Sequence, residues 1–203
     1  MERLIAYVDG FNLYFGLRSK GWKRFYWLDL QKLVQNLLRR KQTLVETKYF
    51  TAKIKSPPDK RKRQTTYLEA LGTLADLSIY YGHFLSERVT CKECGHSYIG
   101  YHEKMTDVNI ATELLTDASQ DRFDAALLIS ADGDLVGPVK KVKQLFPDKR
   151  IVVVFPPRRH SVELRKIANA CLHIDRVVLA KSLFPDQVPK PDGFVLQRPK
   201  EWR

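Results

Sequence analysis

Short apolar runs separated by amphipathic stretches recur along the chain, which is the pattern of β-strands alternating with α-helices. The runs at 4–8 and 125–129 are continuously apolar, as expected for strands buried on both faces of a parallel sheet. Further strands are predicted at 44–54, 77–89, 151–155 and 171–174.

Between these runs, apolar residues recur at helical spacing, and capping residues or prolines mark the helix starts. The pattern predicts helices at 10–19, 29–40, 58–74, 107–118, 134–146, 161–170 and 177–183. The order of elements predicts an α/β fold with a mostly parallel, Rossmann-like central sheet and helices on both faces.

The chain length of 203 residues and the hydrophobic content of 44% fit one folded domain, which we expect over residues 1–184. A cysteine-containing insertion is expected near 89–102. Proline and polar residues dominate afterwards, which predicts an extended C-terminal tail at 185–203. The apolar residues expected to pack this tail back onto the domain are Phe194, Val195 and Trp202.

Basic residues outnumber acidic ones, 35 against 23, which gives a formal charge of +12. This balance favours a nucleic-acid partner, although general solubility is the alternative explanation. No apolar run is long enough for a membrane span, and three cysteines do not form a disulfide framework. We therefore expect a cytoplasmic protein with no membrane partner.

Carboxylates follow two of the predicted strands and open one helix: Asp9 and Asp132 come after strands, and Asp107 begins the helix at 107–118. Each alone is explained as a helix cap, but capping does not explain Asp134 so soon after Asp132. The ends of parallel strands converge on one crevice, where carboxylates repel each other unless a cation lies between them.

Polar side chains accompany these acids. Asn12 lies one helical turn after Asp9, and Ser130 precedes Asp132 at the strand tip. Together they form the oxygen-only ligand set that Mg²⁺ or Mn²⁺ prefers. A metal of this kind would orient a water molecule and neutralise the charge that builds on a phosphate under attack.

Two other motifs fit the segment 132–136 less well. It is similar to the nucleophile loop of haloacid-dehalogenase phosphatases, but Leu135 stands where those enzymes have Thr or Val, and the segment lies late in the chain. A calcium-binding EF-hand loop would need an oxygen ligand where Val136 stands.

Three segments together resemble the NYN family in its LabA-like branch, which is similar in fold to PIN-domain nucleases. They are VDGFN at 8–12, EKMTDVNIA at 103–111 and ISADGDL at 129–135. The likeness covers roughly residues 3–180. It implies a metal-dependent ribonuclease whose catalytic, metal-binding set is Asp9, Asp107, Asp132 and Asp134, with Asn12 and Ser130 at supporting positions.

The proposed chemistry does not need the 2′-hydroxyl of RNA as nucleophile, so a nuclease acting on single-stranded or flapped DNA stays open as an alternative. A non-catalytic RNA-binding module is the second alternative. Phosphatase action on a small phosphoester is a third.

Basic residues suggest where a polyanion would lie. Arg158 and Arg159 follow a strand end and lead into a helix N-terminus, which is a ready anion site. Lys104 is a candidate contact to a substrate phosphate, and an exposed lysine is its ordinary explanation. The basic run at 60–63 is interpreted as a solvated helix face.

An aromatic and basic connector lies at 22–27 (WKRFYW). Its aromatic side chains could stack on the bases of a single strand beside Lys23 and Arg24. Core packing is the alternative explanation for at least half of these aromatic residues.

Cys91, Cys94 and His96 have the look of a zinc knuckle, but a structural zinc site needs four ligands. His102 or His83 could complete the set, or a second copy of the chain in a homodimer. The alternative is a reduced turn with two free thiols. Cys171 is predicted to be a small core residue.

Overall fold

The computed structural model describes the backbone of residues 1–203 and the side chains of all of them except Glu87 and Tyr101. Nine strands are present: β1 Glu2–Asp9, β2 Gln42–Ala52, β3 Leu77–Thr90, β4 Ser97–Lys104, β5 Ala125–Ile129, β6 Arg150–Phe155, β7 Ala170–His173, β8 Gln187–Pro189 and β9 Val195–Gln197. The first seven form one sheet in the order β4-β3-β2-β1-β5-β6-β7, in which β3 and β4 pair antiparallel and all other pairs are parallel.

Seven α-helices connect these strands: α1 Gly10–Ser19, α2 Leu30–Gln35, α3 Pro58–Leu71, α4 Thr106–Ser119, α5 Val136–Leu145, α6 Val162–Ile167 and α7 Arg176–Lys181. Short 3₁₀ helices lie at Lys23–Tyr26, Gly133–Leu135 and Lys200–Trp202. None of the helices in the described part of the chain is long and apolar enough to cross a membrane.

The sheet has a hydrophobic core on each face, which follows from the alternation of side chains along β1. Leu4, Ala6 and Val8 belong to the core beneath α1, α2 and α3, whereas Ile5 and Tyr7 belong to the core beneath α4 and α5. Helices therefore cover both faces, and the predicted α/β class with a mostly parallel sheet is confirmed.

The strand order reverses its direction of growth at β1. From β1 the chain adds β2 and then β3 on one side, and it later returns to place β5 on the other side of β1. The carboxyl ends of β1 and β5 thus flank a topological switch point, which is where open parallel sheets form their binding crevices.

A hairpin projects beyond this same edge of the sheet. β2 pairs with β3 only as far as Gly82, and β4 pairs with the continuation of β3, from His83 with Lys104 to Thr90 with Ser97. The insertion predicted near 89–102 has no strand assigned to it. The structure shows that its last part, from Ser97 onward, belongs to β4, whose pairing with β3 a single-strand pattern does not reveal.

A buried charge network joins α4 to the sheet. The Nζ atom of Lys48, which is fully buried on β2, lies 2.6 Å from Asp117 and 2.7 Å from Glu113 on α4. The Tyr7 hydroxyl donates to Asp117 over 2.5 Å, and Arg122 binds the same carboxylate at 2.8 Å. These bonds supply the partners that a buried charge requires.

Several helices are shorter than predicted, among them the helix expected at 161–170, which spans only Val162–Ile167. The helix expected at 29–40 ends at Gln35, because the backbone N–H groups of Leu37 and Leu38 bond three residues back and tighten the chain into turns. The helix expected from 134 begins as the 3₁₀ turn Gly133–Leu135 before α5.

The C-terminal segment forms a small hairpin of β8 and β9. Val188 and Leu196 are buried in it, and Trp202 packs against the core. The expectation that Phe194 and Val195 would pack back is wrong, since their side chains are 60% and 40% exposed. The alternation of the strand turns Leu196 inward instead.

Candidate metal centre

Asp9 ends β1 and caps α1. Its Oδ1 accepts the backbone N–H of Asn12 at 2.9 Å, and its Oδ2 accepts the Asn12 side-chain amide at 2.8 Å. A side chain on Gly10 would meet the Phe50 carbonyl oxygen at 2.7 Å, so only glycine allows the chain to enter α1 this close to β2. These contacts fix a carboxylate that is 2% exposed at the switch point.

The loop after β5 binds the same carboxylate from the other side. The Ser130 hydroxyl donates to Oδ2 of Asp9 at 2.8 Å and accepts the backbone N–H of Asp132 at 3.0 Å. Asp132 in turn accepts the N–H of Asp134 at 3.1 Å. One hydroxyl therefore links the ends of β1 and β5 and sets the position of Asp132.

Asp107 reaches the site because α4 begins at the same edge of the sheet. Met105, in the left-handed region at φ 82°, turns the chain from β4 into the helix. Glu103 accepts the backbone N–H of Thr106 at 3.1 Å and also its hydroxyl. A side chain on Gly82 would lie 2.5 Å from the Lys104 carbonyl oxygen, so glycine is required where β3 passes under this turn.

Three carboxylates meet at this point. One oxygen each from Asp9, Asp107 and Asp132 lies within 4.8 Å of the other two. Burial, followed by the charges of Asp132, Asp9, Glu103 and Asp134, raises the pKa of Asp107 to about 7. Burial also raises the pKa of Asp9, against the opposing effect of its hydrogen bonds with Asn12 and Ser130.

This donor set fits a divalent cation. It offers carboxylate oxygens alone, the ligands that Mg²⁺ and Mn²⁺ prefer. Burial disfavours the charged forms of Asp9 and Asp107, the neighbouring carboxylates add repulsion, and a bound cation would offset both effects. The cluster can therefore hold a divalent metal ion.

Two predicted residues lie outside the group of three. Asp134 is exposed and reaches the cluster through its charge on Asp107. Lys104 is exposed at the end of β4, paired in the sheet with His83.

An aromatic groove of about 760 Å³ lies next to the cluster. It reaches Gly10, which follows Asp9, and Glu103, which precedes α4. Its aromatic walls are Phe11, Tyr14, Phe15, Phe25, Tyr26, Tyr49, Tyr67, Phe84 and Trp202. Its basic lining residues are Arg18, Lys23, Lys60 and Arg63.

Of the four basic residues predicted as nucleic-acid contacts, two lie at the aromatic groove, and the other two are not among its lining residues. Lys23 lines the groove, and the guanidinium of Arg159 lies 5.9 Å from the ring of Phe15 at its rim. Arg158 is exposed with φ 55°, and Arg24 lies 5.6 Å over the ring of Phe25.

Half of the aromatic connector packs in the core, as its alternative interpretation expects. Phe25 and Trp27 are 1% and 0% exposed, whereas Trp22 and Tyr26 are partly exposed. Tyr26 faces the groove and contacts the ring of Tyr14 at a centroid distance of 5.0 Å.

The aromatic face of α1 is absent from the site predicted from the sequence. This face has a sequence pattern that could have indicated it, since three aromatic residues and one arginine recur at the spacing of one helical face: Phe11, Tyr14, Phe15 and Arg18. Lys60, interpreted from the sequence as part of a solvated helix face, also lines the groove, and Glu103, whose charge helps to raise the pKa of Asp107, is absent from the predicted site.

The cysteine turn lies at the tip of the β3–β4 hairpin. Cys91 and Cys94 are free thiols, and the N–H groups of Cys94 and Glu93, together with the Cys94 thiol, lower the pKa of Cys91. The ligand atoms of Cys91, Cys94 and His96, all described residues, do not lie within 4.8 Å of one another as a set of three. Cys171 is half-buried on β7.

An open α/β sheet of this topology, with a cluster of carboxylates at its switch point, is the architecture of PIN-like nuclease folds. The chain belongs to the NYN domain family, which matches residues 3–175. Membership implies a nuclease domain with a nucleic-acid substrate. The LabA-like branch remains a prediction.

The chain is also similar to one characterised protein in sequence and to one crystal structure in fold. It is 28% identical over 240 residues to 6-hydroxy-3-succinoylpyridine 3-monooxygenase HspA of Pseudomonas putida (strain DSM 28022 / S16), with 98% of this chain and 75% of that protein covered. A crystal structure of a protein of unknown function from Vibrio parahaemolyticus has the same fold, with a TM-score of 0.56 and 20% identity over 90% of this chain and 96% of that one.

Proposed function

We propose that this chain is a divalent-metal-dependent ribonuclease that hydrolyses phosphodiester bonds of RNA. The observation that carries the proposal is the meeting of Asp9, Asp107 and Asp132, from three separate segments, at the switch point of the sheet. A site for binding alone gains nothing from concentrated negative charge, because carboxylates repel a polyanion unless a cation lies between them.

Each residue has a stated role in this proposal. Asp9, Asp107 and Asp132 hold Mg²⁺ or Mn²⁺, and Asp134 adds charge at the exposed rim. A bound divalent ion lowers the pKa of a water molecule and stabilises the charge on the phosphate under attack. By donating to the Asp9 carboxylate, Asn12 and Ser130 hold its orientation and oppose the rise in its pKa that burial causes.

The groove beside the cluster supports a single-stranded substrate. Aromatic faces stack on bases of any identity, at about 1–3 kcal/mol per base, while basic residues follow the phosphates. The guanidinium groups of Arg18 and Arg159 each lie 5.9 Å from the ring of Phe15. A duplex keeps its bases stacked inside and cannot use such a surface.

The test is cleavage of end-labelled single-stranded RNA with Mg²⁺ or Mn²⁺ and with a chelator. We expect metal-dependent cleavage that Asp132→Asn abolishes and Asp148→Asn, an exposed acid away from the cluster, leaves intact. Equal cleavage by wild type and Asp132→Asn would overturn the proposal.

Parallel reactions address the two alternatives. Cleavage of single-stranded or flapped DNA in preference to RNA would assign the same site to DNA. Salt-sensitive RNA binding without metal-stimulated turnover would assign the chain to RNA-binding modules and contradict the proposed activity.

A further inference from the structure

The β3–β4 hairpin is an arm that carries two thiols away from the sheet. Eight residue pairs, from His83 with Lys104 to Thr90 with Ser97, lie beyond the last pairing of β3 with β2. At about 3.4 Å per residue, the arm extends roughly 25 Å past the sheet. Its tip is therefore free to meet another molecule without displacing any strand.

The turn at the tip has the geometry of a metal knuckle. The N–H of Gly95 bonds to the carbonyl oxygen of Cys91 at 3.0 Å, and the N–H of Cys91 bonds to that of His96 at 2.9 Å. Gly95, at φ +69°, supplies the left-handed residue that closes this turn. Both cysteines are free thiols, and Cys94 is exposed at this turn.

Within one chain this turn supplies two thiols, which is half the number of ligands that a structural zinc site needs. Structural zinc is bound by four ligands in a tetrahedron. Among residues with described side chains, the only group of three or more ligand atoms within 4.8 Å of one another is the Asp9 cluster, so no third donor joins the two thiols. His102 pairs with Leu85, five residues from Thr90 along β3 and thus roughly 17 Å from the tip.

The surface next to the thiols suits a second copy of the chain. Tyr98, immediately after the turn, is 54% exposed, and Leu85, on the same face of the arm, is 49% exposed, whereas Ile99 is 60% exposed on the opposite face. A two-fold axis through the tips would bring two Cys91–Cys94 pairs together, and the same contact would cover the exposed Tyr98 side chain of each copy.

We propose that Cys91 and Cys94 form half of a zinc site, and that two copies of this chain complete it with four thiolates at the tips of their β3–β4 hairpins. The site is independent of the acidic cluster. Zinc binding of this kind creates the dimer, so metal content and oligomeric state change together.

The test combines zinc analysis by mass spectrometry with molar mass by light scattering, on the full chain purified without metal-affinity steps. We expect one zinc ion for every two chains, a dimer, and dissociation to monomers when zinc is chelated. Cobalt substitution is expected to give the absorption spectrum of tetrahedral thiolate ligation.

Cys94→Ser is expected to remove both zinc and dimer, while Cys171→Ser and His96→Ala keep both. Because Cys94 is exposed at a turn, an unchanged melting temperature in chelated samples will show that the variant folds. One zinc ion per monomer, no zinc on reduced protein, or a dimer that survives Cys94→Ser would each overturn the proposal.

Discussion

The hydroxyl of Ser130 donates a 2.8 Å hydrogen bond to Oδ2 of Asp9, although the two residues are 121 positions apart in the chain. This bond joins the two strands that flank the switch point. It also holds the carboxylate that is the most buried of the acidic cluster.

Ser130→Ala is expected to weaken divalent-metal binding about tenfold, since a hydrogen bond to a charged group contributes about 1.5–3 kcal/mol and part of that is recovered by relaxation. The loss also raises the pKa of Asp9 further, because Ser130 is one of the groups that lower it. Titration calorimetry with Mn²⁺ measures the change. Ser119→Ala, which removes an exposed hydroxyl bonded to Thr116, is the control and should bind like wild type.

The raised pKa of Asp107 predicts that the stability of the metal-free protein depends on pH. Its folded pKa of about 7 lies above the ordinary value of 3.8, so the folded chain keeps a proton that the unfolded chain releases between these values. The stability from this group is complete at low pH and is lost as the pH rises through about 7.

In chelator, the melting temperature of wild type should therefore fall relative to Asp107→Asn as the pH rises from about 4 to about 7. Saturating Mn²⁺ should remove the fall in the wild-type melting temperature with rising pH, and it should have no such effect on Asp107→Asn. A difference that is constant across this range would contradict the raised pKa.

Phe15→Ala is expected to weaken the binding of single-stranded RNA by about 1–3 kcal/mol, because it removes one stacking surface. Fluorescence anisotropy in the presence of chelator measures binding without cleavage. Phe194→Ala is a matched control, since Phe194 is also exposed and lies 5.7 Å from a basic group, Lys190, outside the groove. Equal weakening by both changes would argue against stacking in the groove.

Gly82→Ala is expected to lower both nuclease activity and stability. The added methyl would lie 2.5 Å from the Lys104 carbonyl oxygen and 2.6 Å from Oε1 of Glu103, so the start of α4 must move and take Asp107 with it. Gly137→Ala, where a methyl meets no atom within 4 Å, is the control. Turnover assays and thermal melts of the two variants give the comparison.

Lys48→Met is expected to destabilise the fold by about 3–5 kcal/mol, because it leaves buried carboxylates without their cation. Burial works to lower the pKa of Lys48, but hydrogen bonds with Asp117 and Glu113 outweigh it and the pKa is raised. Urea denaturation measures the change, and the exposed Lys55→Met should lose less than about 0.5 kcal/mol.

Strong local signals explain which parts of the structure were predictable. The helix α1 has the predicted bounds, since Asp9 marks its start, and β5 is continuously apolar. Asp9 and Asp132 could be predicted because they follow apolar strands, and Asp107 because it opens a strongly amphipathic helix. β4 was missed because its identity depends on pairing with β3, and the groove was missed because its walls come from α1, β2, α3 and the C-terminal segment. Such contacts have no pattern within one segment.

The position of the acidic cluster at the switch point makes it a property of the assembled fold. Its three carboxylates span residues 9 to 132, so no shorter fragment contains them all. An ion held there binds the native chain and not the unfolded one, and it stabilises the fold by RT ln(1 + [L]/Kd). The same ion that serves the chemistry would thus also protect the assembled sheet from unfolding.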